Sequence, residues 1–329
     1  MGFKPKPIPA STILISFRDE GAGKGAFYDH FTLQHHTAHK TATVCSPSLS
    51  TKPLETYLSG QTHNLSYGVV SPTIHRLIPP GFQNLEEGGV LFIPGITRDA
   101  DNRQPLSHQF RMQFERTIIK QAVQRGMPIL AVCAGAWTVW QTVGGALTPV
   151  TDHNYGGAMP RVGVNGIIVN NKHVHNVIVD AGTLVADAMG PEATRWQWPV
   201  NSVHWKAASP TPMPENFQVC ATAKKDPRIS IKTRQQTDMS PQEDSIEGFE
   251  SIYGAPIFGI QWHPEAFLWN SADLPEMVNH RVLLFMAKAG DAYRAKQTML
   301  KEYKSKAIPL QDDDVDQLTE LVHKMKLSS

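Results

Sequence analysis

The chain has 329 residues, a formal net charge of +1 at pH 7, and 41% hydrophobic and 19% charged residues. This length suits one large α/β domain or two modest ones, and the near-neutral charge gives no sign of a nucleic-acid or acidic-membrane partner. No apolar run approaches the ~20 residues of a membrane span, and the start lacks the apolar stretch of a signal peptide, so a cytoplasmic protein is expected. Three cysteines, Cys45, Cys133 and Cys220, are too few for a disulfide framework.

Strand-like and helix-like segments alternate along the chain. Residues 11–17 predict a first buried strand, and residues 18–52 have a Gly-, His-, Thr- and Ser-rich composition that predicts a loop insertion. The later predicted elements are, in chain order, a helix over 54–66, strands over 73–78 and 89–95, helices over 108–125 and 134–143, short strands over 161–180, a helix over 181–189, strands over 216–262, a helix over 276–300 and a tail helix over 312–325. This alternation predicts an α/β fold with a central, mostly parallel sheet flanked by helices. One domain over residues 1–290 and a C-terminal helical extension over residues 291–329 are expected.

Cys133 stands at the most informative turn of the chain. It follows the apolar residues 128–132 and precedes the small residues Ala134 and Gly135, after which a helical pattern begins. This order is typical of a strand that turns sharply into a helix and presents a nucleophile there. A helix N-terminus favours the thiolate, which is the attacking form of cysteine. Cys133 is therefore predicted as a nucleophile at an elbow, with the N–H of Ala134 as an oxyanion donor.

A second catalytic segment is predicted further along the chain. His263 follows the strand-like residues 257–261, and Glu265 comes two residues later. Active sites of open α/β sheets lie at the carboxyl ends of strands, where this histidine would be. A histidine can act as general base for a thiol, and a carboxylate can orient its ring, so Cys133, His263 and Glu265 are predicted as a catalytic triad. Gly95, also at a predicted strand end, is the candidate for the second oxyanion donor.

These pieces, in this order, resemble the class I glutamine amidotransferase superfamily, which has a flavodoxin-like fold. Within it the sequence is most similar to the γ-glutamyl hydrolase-like family that includes γ-glutamyl-γ-aminobutyrate hydrolases. The resemblance covers residues 88–267 and is carried by Pro94-Gly95 followed by Asp99 and Pro105, by Phe114-Glu115, Pro128-Ile129-Leu130, Cys133-Ala134-Gly135, Gly144-Gly145-Ala146-Leu147, Val200-Asn201-Ser202-Val203-His204, Ile246-Glu247-Gly248 and Gly259-Ile260-Gln261-Trp262-His263-Pro264-Glu265.

The resemblance implies cleavage of a γ-glutamyl amide bond through a thioester. In that reaction Cys133 attacks the γ-carbonyl, and His263, held by Glu265, takes the thiol proton and gives one to the leaving amine. The amides of Gly95 and Ala134 bind the oxyanion, and the segment from Asn201 to His204 helps to hold the glutamyl group. Water then releases glutamate from the thioester.

Two tryptophans depart from the family pattern. Trp137 stands four residues after the nucleophile, where the family usually has Gln or Glu, and Trp140 stands where Asn is common. Because the two share a helix face, they predict either core packing or a reshaped, more aromatic pocket. Ala131 and Ala134 also replace the glycine and the arginine that are usual in the family. The candidate substrate-binding residues are Ile96, Trp137, Trp140, Asn201, Ser202, Val203 and His204.

The expected function is a stand-alone cysteine hydrolase that acts on a small-molecule γ-glutamyl amide or peptide. Two alternatives stay open: a glutaminase subunit that feeds a separate partner chain, and a binding module or protein-directed variant with an altered pocket. No cofactor, nucleic acid or membrane partner is expected, and a homodimer is one candidate for the assembly.

Other histidines and cysteines carry less information. The histidines of the 18–52 segment, His30, His35, His36 and His39, lack the matched Cys or carboxylate spacing of a metal site, so no metal is expected. His173 and His175 alternate on one predicted strand face and are expected at the surface. Cys45 and Cys220 are expected to be structural or incidental.

Overall fold

A computed structural model describes most of the predicted sheet and its helices. It covers residues 11–16, 41–44, 85, 88–95, 106–150, 161–162, 168–169, 175–195, 197–202, 204–224, 244–264 and 274–306. Strands β1 to β13 are, in order, Thr12–Ser16, Thr41–Val44, Gly88–Ile93, Ile129–Val132, Leu147–Pro149, Arg161–Val162, Ile168–Val169, His175–Val179, Trp198–Val200, Lys206–Ala208, Phe217–Ala223, Ser245–Ser251 and Ile257–Ile260. Helices α1 to α4 are Leu106–Arg125, Ala134–Thr142, Leu184–Met189 and Leu274–Lys306.

One large sheet organises the fold, with strands in the order β2-β1-β3-β4-β13-β12-β11-β8-β9. The first five strands in this spatial order, β2, β1, β3, β4 and β13, are parallel to one another, and β4 lies between β3 and β13. Strands β12, β11, β8 and β9 continue the sheet in antiparallel fashion, and β10 joins β12 to β5. The predicted α/β fold with a central, mostly parallel sheet is confirmed, and the antiparallel wing extends it.

Both faces of the central strands are buried. Side chains alternate between the two faces, so Phe92 and Val132 belong to one core cluster, whereas Leu91 and Ala131 belong to another. Helices α3 and α4 contribute to the first cluster, and helices α1 and α2 contribute to the second. Two-sided burial explains why these strands are continuous apolar runs in the sequence.

The C-terminal helix packs directly on the sheet. Helix α4 runs without interruption through residue 290, where the sequence predicted a domain boundary. The close approach of Gly290 to the backbone of Gly89 brings the helix onto β3. Just beyond it, the Asp291 carboxylate accepts a hydrogen bond from the Ser11 N–H at 2.7 Å. The predicted C-terminal helix is confirmed, and its position ties the start of the extension to the domain; residues 307–329 lie outside the described part of the chain.

The predicted 18–52 loop insertion contains a strand of the sheet. Residues 41–44 form β2, which pairs in parallel with β1 from Ile13↔Thr41 to Ser16↔Val44. The expectation of a loop is therefore wrong for these four residues, where β-branched Thr and Val favour an extended strand. The rest of 18–52 lies outside the described residues. Among the described helices, none combines the length and the apolar character needed to cross a membrane.

Candidate active site

Cys133 occupies the single residue between β4 and α2. Its backbone has φ 52° and ψ −116°, in the left-handed range of φ that non-glycine residues rarely adopt. Such a conformation costs roughly 1–3 kcal/mol and persists only when its surroundings hold it in place. The Cys133 N–H donates to the carbonyl oxygen of Ile260 at 2.8 Å, which anchors the turn to the neighbouring strand β13. The local geometry is that of a sharp strand–turn–helix junction.

The register of the parallel strands brings the predicted residues to one edge of the sheet. Strand β4 pairs with β3 through Ile93↔Ala131 and with β13 through Ile260↔Val132. Because all three strands run in the same direction, their carboxyl ends meet at this edge. Gly95, Cys133 and His263 each follow one of these ends, so three distant stretches of sequence converge there.

Gly135 allows the first turn of α2 to lie against the end of β3. A Cβ at this position would overlap the carbonyl oxygen of Ile93 and would lie 2.9 Å from that of Pro94. Because both neighbours are backbone atoms, they cannot yield as a flexible side chain would. The absence of a side chain at Gly135 therefore brings Ala134, at the start of α2, close to the Pro94-Gly95 segment.

The backbone of His263 is held by the side chain of Asn201. The His263 N–H donates to Asn201 Oδ1 at 2.7 Å, and Asn201 Nδ2 donates to the His263 carbonyl oxygen at 3.0 Å. Asn201 is fully buried and His263 is 2% exposed. Asn201, predicted to contact substrate, thus uses its amide group to position the chain that carries His263.

The two residues before His263 are also held by buried side chains. Gln261 Oε1 accepts a hydrogen bond from Trp137 Nε1 of helix α2 at 2.8 Å. The indole Nε1 of Trp262 donates to Asn279 Oδ1 of helix α4 at 2.7 Å. Residues 261, 262 and 263 are therefore fixed from three separate parts of the fold, which restricts how far the end of β13 can move.

The two tryptophans of α2 have different surroundings. Trp137 packs edge-on against Trp205, with ring centroids 5.3 Å apart, and the Lys206 ammonium lies 5.7 Å from the centroid of its ring. Trp140 is fully buried and packs against Phe249 at 4.5 Å and Phe217 at 6.4 Å. Of the two readings that the sequence left open, core packing accounts for Trp140. Trp137 is also buried, at 4% exposed, but lies beside Trp205 and Lys206.

His204 belongs to a buried cluster with Glu247 and His175. His204 Nε2 lies 3.4 Å from Glu247 Oε1, and His175 Nε2 lies 4.0 Å from Glu247 Oε2, with all three side chains fully buried. Burial lowers the pKa of the His175 imidazole, although the nearby Glu247 carboxylate opposes that shift. The expectation that His175 lies at the surface is wrong, because its side chain lies on the same face of strand β8 as the buried Val177 and Val179. We name these three residues the His–His–Glu cluster.

Comparison with known proteins places the chain in a family. The sequence model of the peptidase C26 family matches residues 94–265, just over half of the chain. The chain belongs to this family. The resemblance deduced from the sequence motifs is therefore confirmed.

Individual relatives of this C26 family member agree with that assignment. The chain is 25% identical over 238 residues to the gamma-glutamyl-gamma-aminobutyrate hydrolase PuuD of Escherichia coli (strain K12), covering 67% of this chain and 79% of the relative. The same figures hold for the gamma-glutamyl-gamma-aminobutyrate hydrolase of Shigella sonnei (strain Ss046). Family and relatives together support a hydrolase.

Solved structures with a similar arrangement include two glutamine-processing proteins. A glutamine amidotransferase from Thermotoga maritima is 13% identical, with a TM-score of 0.45 over 85% of this chain and 99% of that one. The glutaminase domain of CTPS from Trypanosoma brucei is 11% identical, with a TM-score of 0.46 over 85% of this chain and 94% of that one.

The match to the C26 family extends to residues that the structure does not describe. Glu265, Ile96 and Val203, predicted as orienting or substrate-binding residues, lie outside the described residues. Ser202 is fully buried, directly after Asn201.

Sequence reasoning missed the positioning roles of Asn201, Asn279 and Gln261 in this C26 family member. It also quoted Glu247 only as part of a motif. Two acidic residues, Glu247 and Glu250, within the otherwise strand-like run of residues 245–251 were the available signal, since a carboxylate buried in a strand needs a specific partner.

Proposed function

We propose that this protein is a cysteine hydrolase that cleaves γ-glutamyl amide bonds through a thioester on Cys133. The observation that carries the proposal is the position of Cys133, at a left-handed turn between β4 and α2 and beside the end of β13. Nucleophiles of α/β hydrolases stand at such a strained strand–helix turn at the sheet edge. Cys133 is 1% exposed at this turn. Membership of the C26 family and the 25% identity to γ-glutamyl-γ-aminobutyrate hydrolases support γ-glutamyl amides as the substrate class.

The proposed reaction begins with attack of the Cys133 sulfur on the γ-carbonyl carbon. Helix α2 starts at the next residue, so the reacting sulfur lies at the sharp turn between a strand and a helix. Negative charge then develops on the carbonyl oxygen, where the N–H groups of Ala134 and Gly95 would stabilise it. The close packing at Gly135 supports this role, because it brings the start of α2 to the end of β3.

His263 is proposed as the group that moves protons in both halves of the reaction. It takes the thiol proton, gives a proton to the leaving amine as the C–N bond breaks, and then activates the water that attacks the thioester. That water adds to the acyl carbon and the C–S bond breaks, which releases glutamate and regenerates the free thiol of Cys133. Glu265 is proposed to orient the His263 ring, as the sequence motif implies. The support for His263 comes from its buried, doubly anchored backbone at the end of β13.

The pocket beside the nucleophile is proposed to be more aromatic than is usual in the family. Trp137 stands where the family usually has Gln or Glu, and it is flanked by Trp205 and Lys206. An indole can pack against the apolar part of a bound group, and Lys206 would favour a carboxylate there. This arrangement favours a γ-glutamyl substrate whose leaving group has an apolar portion.

The test is hydrolysis of a panel of γ-glutamyl amines, γ-glutamyl peptides and glutamine, followed by mass spectrometry of released glutamate. Cys133→Ala is expected to abolish turnover, while Cys220→Ala, which removes a thiol from the core, is the matched control and is expected to retain it. His263→Ala removes the group that moves protons in both half-reactions, so it is expected to abolish turnover as well. Unchanged turnover in Cys133→Ala, or wild-type protein inactive on the whole panel, would refute the proposal. Ammonia release from glutamine that rises only with a partner chain would instead identify an amidotransferase subunit.

A further inference from the structure

The His–His–Glu cluster gathers three metal-ligating side chains from distant parts of the chain. His175 begins β8, His204 lies between β9 and β10, and Glu247 lies in β12. One ligand atom from each of them lies within 4.8 Å of the other two, and all three residues are buried. No pair among them is close in sequence, so the spacing patterns that predicted no metal site could not reveal the cluster.

The contacts that Nδ1 makes in each imidazole determine which ring nitrogen carries the proton. His204 Nδ1 lies 3.1 Å from the carbonyl oxygen of Lys206, and His175 Nδ1 lies 3.3 Å from that of Asn176. A carbonyl oxygen can only accept a hydrogen bond, so each contact is a hydrogen bond only if Nδ1 carries the proton. In the neutral ring the lone pair is then on Nε2, and in both histidines Nε2 faces Glu247.

Two imidazole lone pairs and a carboxylate repel one another unless a positive charge lies among them. Either a proton on one ring or a metal ion between the three groups can supply that charge. The distances favour a metal ion over a proton. A charge-assisted N–H···O hydrogen bond is about 2.7–2.9 Å long, whereas the Nε2 atoms of His204 and His175 lie 3.4 Å and 4.0 Å from the Glu247 carboxylate oxygens. Metal–ligand bonds of about 2.0–2.1 Å in a tetrahedron place neighbouring ligand atoms about 3.3–3.4 Å apart. The His204–Glu247 distance of 3.4 Å matches this separation, and the His175–Glu247 distance of 4.0 Å, measured to the other carboxylate oxygen, is longer.

We propose that His175, His204 and Glu247 bind one divalent transition-metal ion, with Zn²⁺ as the best match. Two imidazole nitrogens and one carboxylate oxygen form a donor set typical of Zn²⁺, which is four-coordinate and leaves one position for a water molecule. A softer, thiolate-preferring ion such as Cu⁺ finds no sulfur ligand in the set, and Mg²⁺ and Ca²⁺ prefer oxygen ligands alone.

The groups around the cluster orient the ligands as they do in metal sites. The Nδ1–H to carbonyl hydrogen bonds fix the tautomer and the ring orientation of His175 and His204. Ser245 Oγ donates to Glu247 Oε1 at 2.7 Å, which directs the carboxylate. An ion here would join β8, β12 and the β9–β10 connection, so it would stabilise the antiparallel wing of the sheet.

The first experiment uses the full-length wild-type protein. After chelator treatment and desalting, Zn²⁺ is added, excess ion is removed, and the metal content is measured by mass spectrometry; one Zn²⁺ per chain is expected. Co²⁺ in the same site should give the intense visible absorption of a four-coordinate ion with nitrogen and oxygen ligands. Protein that retains no ion and shows only the pale spectrum of hydrated Co²⁺ would overturn the proposal and leave a protonated imidazole as the positive charge.

A graded set of variants locates the site. His175→Gln and Glu247→Gln each remove a direct ligand, so Zn²⁺ affinity should fall at least about a hundredfold, because even outer-shell changes cost about 10- to 100-fold. Ser245→Ala should give that smaller loss. His280→Gln, in helix α4, is the matched histidine control and should bind Zn²⁺ as the wild type does. Equal Zn²⁺ binding in all four variants would overturn the proposal, and the wild-type Co²⁺ spectrum stays decisive if a ligand variant fails to fold.

Discussion

The side chain of Asn201 makes two hydrogen bonds with the backbone of His263, one to its N–H and one to its carbonyl oxygen. The two residues are 62 positions apart in sequence, and both are buried. A primary amide is well suited to this pairing because it offers a donor and an acceptor side by side. The pairing fixes the backbone of His263 through its N–H and its carbonyl oxygen.

Asn201→Ala is expected to weaken both stability and hydrolysis. Two buried backbone groups lose their partner, so the free energy of unfolding should fall by about 2–4 kcal/mol. Displacement of the imidazole should lower kcat by about 10- to 100-fold with little change in KM, since position rather than substrate binding is lost. Urea unfolding and steady-state kinetics on the best γ-glutamyl substrate measure the two effects.

Two further variants separate positioning from substrate contact. Asn201→Asp keeps the acceptor for the His263 N–H but cannot donate to the carbonyl, so its kcat should lie between those of the alanine variant and the wild type. Asn176→Ala removes an exposed asparagine and should change neither quantity. A large rise in KM at unchanged kcat in Asn201→Ala would show that Asn201 contacts substrate instead.

Gly135→Ala is expected to impair catalysis far more than another glycine-to-alanine substitution that lowers the free energy of unfolding by a similar amount. The new Cβ would overlap the Ile93 carbonyl, so the first turn of α2 must move away from β3. Overpacking of this kind costs about 1–3 kcal/mol, and a displacement near 1 Å can lower kcat/KM by about 100-fold.

Gly254→Ala is the control for this prediction. Gly254 has φ 84° with open space around it, so alanine there costs about 1–2 kcal/mol through the backbone alone. Comparable losses of stability with activity lost only in Gly135→Ala would support the role of this contact in the site. Equal kcat/KM in the two variants would show that the α2–β3 approach does not matter for catalysis.

The sequence predicts the strand ends of the candidate site better than the side-chain contacts around them. Gly95, Cys133 and His263 each follow a buried apolar run and a turn signal, and such local patterns determine where a strand ends. The pairing of Asn201 with His263 depends on how the antiparallel wing returns to β13, which no local pattern encodes. Trp137 and Trp140 lie on the same face of helix α2, so the sequence treats them alike. Only their tertiary neighbours, Trp205 and Phe249, distinguish their surroundings.

The hydrogen bond between Trp137 and Gln261 is expected to show measurable energetic coupling. Trp137→Phe keeps an aromatic ring against Trp205 but removes the N–H that Gln261 Oε1 accepts. In a double-mutant cycle with Gln261→Leu, the free energies of unfolding should show a coupling of about 0.5–1.5 kcal/mol. Additive effects within experimental error would mean that the two side chains do not stabilise each other.

Cys220 is expected to stay unreactive in the folded protein. Burial in the core, with smaller contributions from Glu250 and Asp180, raises its pKa well above the usual range for a thiol. Iodoacetamide near neutral pH should therefore label the proposed nucleophile Cys133 ahead of Cys220, and Cys220 should be labelled only after unfolding. Peptide mapping by mass spectrometry gives both rates; equal labelling of the two thiols in native protein would contradict the proposed role of Cys133 as the nucleophile.

The same shift in Cys220 predicts how stability changes at alkaline pH. In the unfolded chain this thiol loses its proton near pH 8.5, whereas in the folded protein it stays protonated to higher pH. Above that pH the unfolded state binds fewer protons than the folded state. The contribution of the Cys220 thiol to stability is therefore fully present below about pH 8.5 and is lost as pH rises further, by up to about 1.4 kcal/mol per pH unit. Urea unfolding of the wild type and of Cys220→Ala between about pH 7 and 10 isolates this term as the difference between the two curves. Stability curves that stay parallel across the whole range would show that the Cys220 thiol ionises equally in both states.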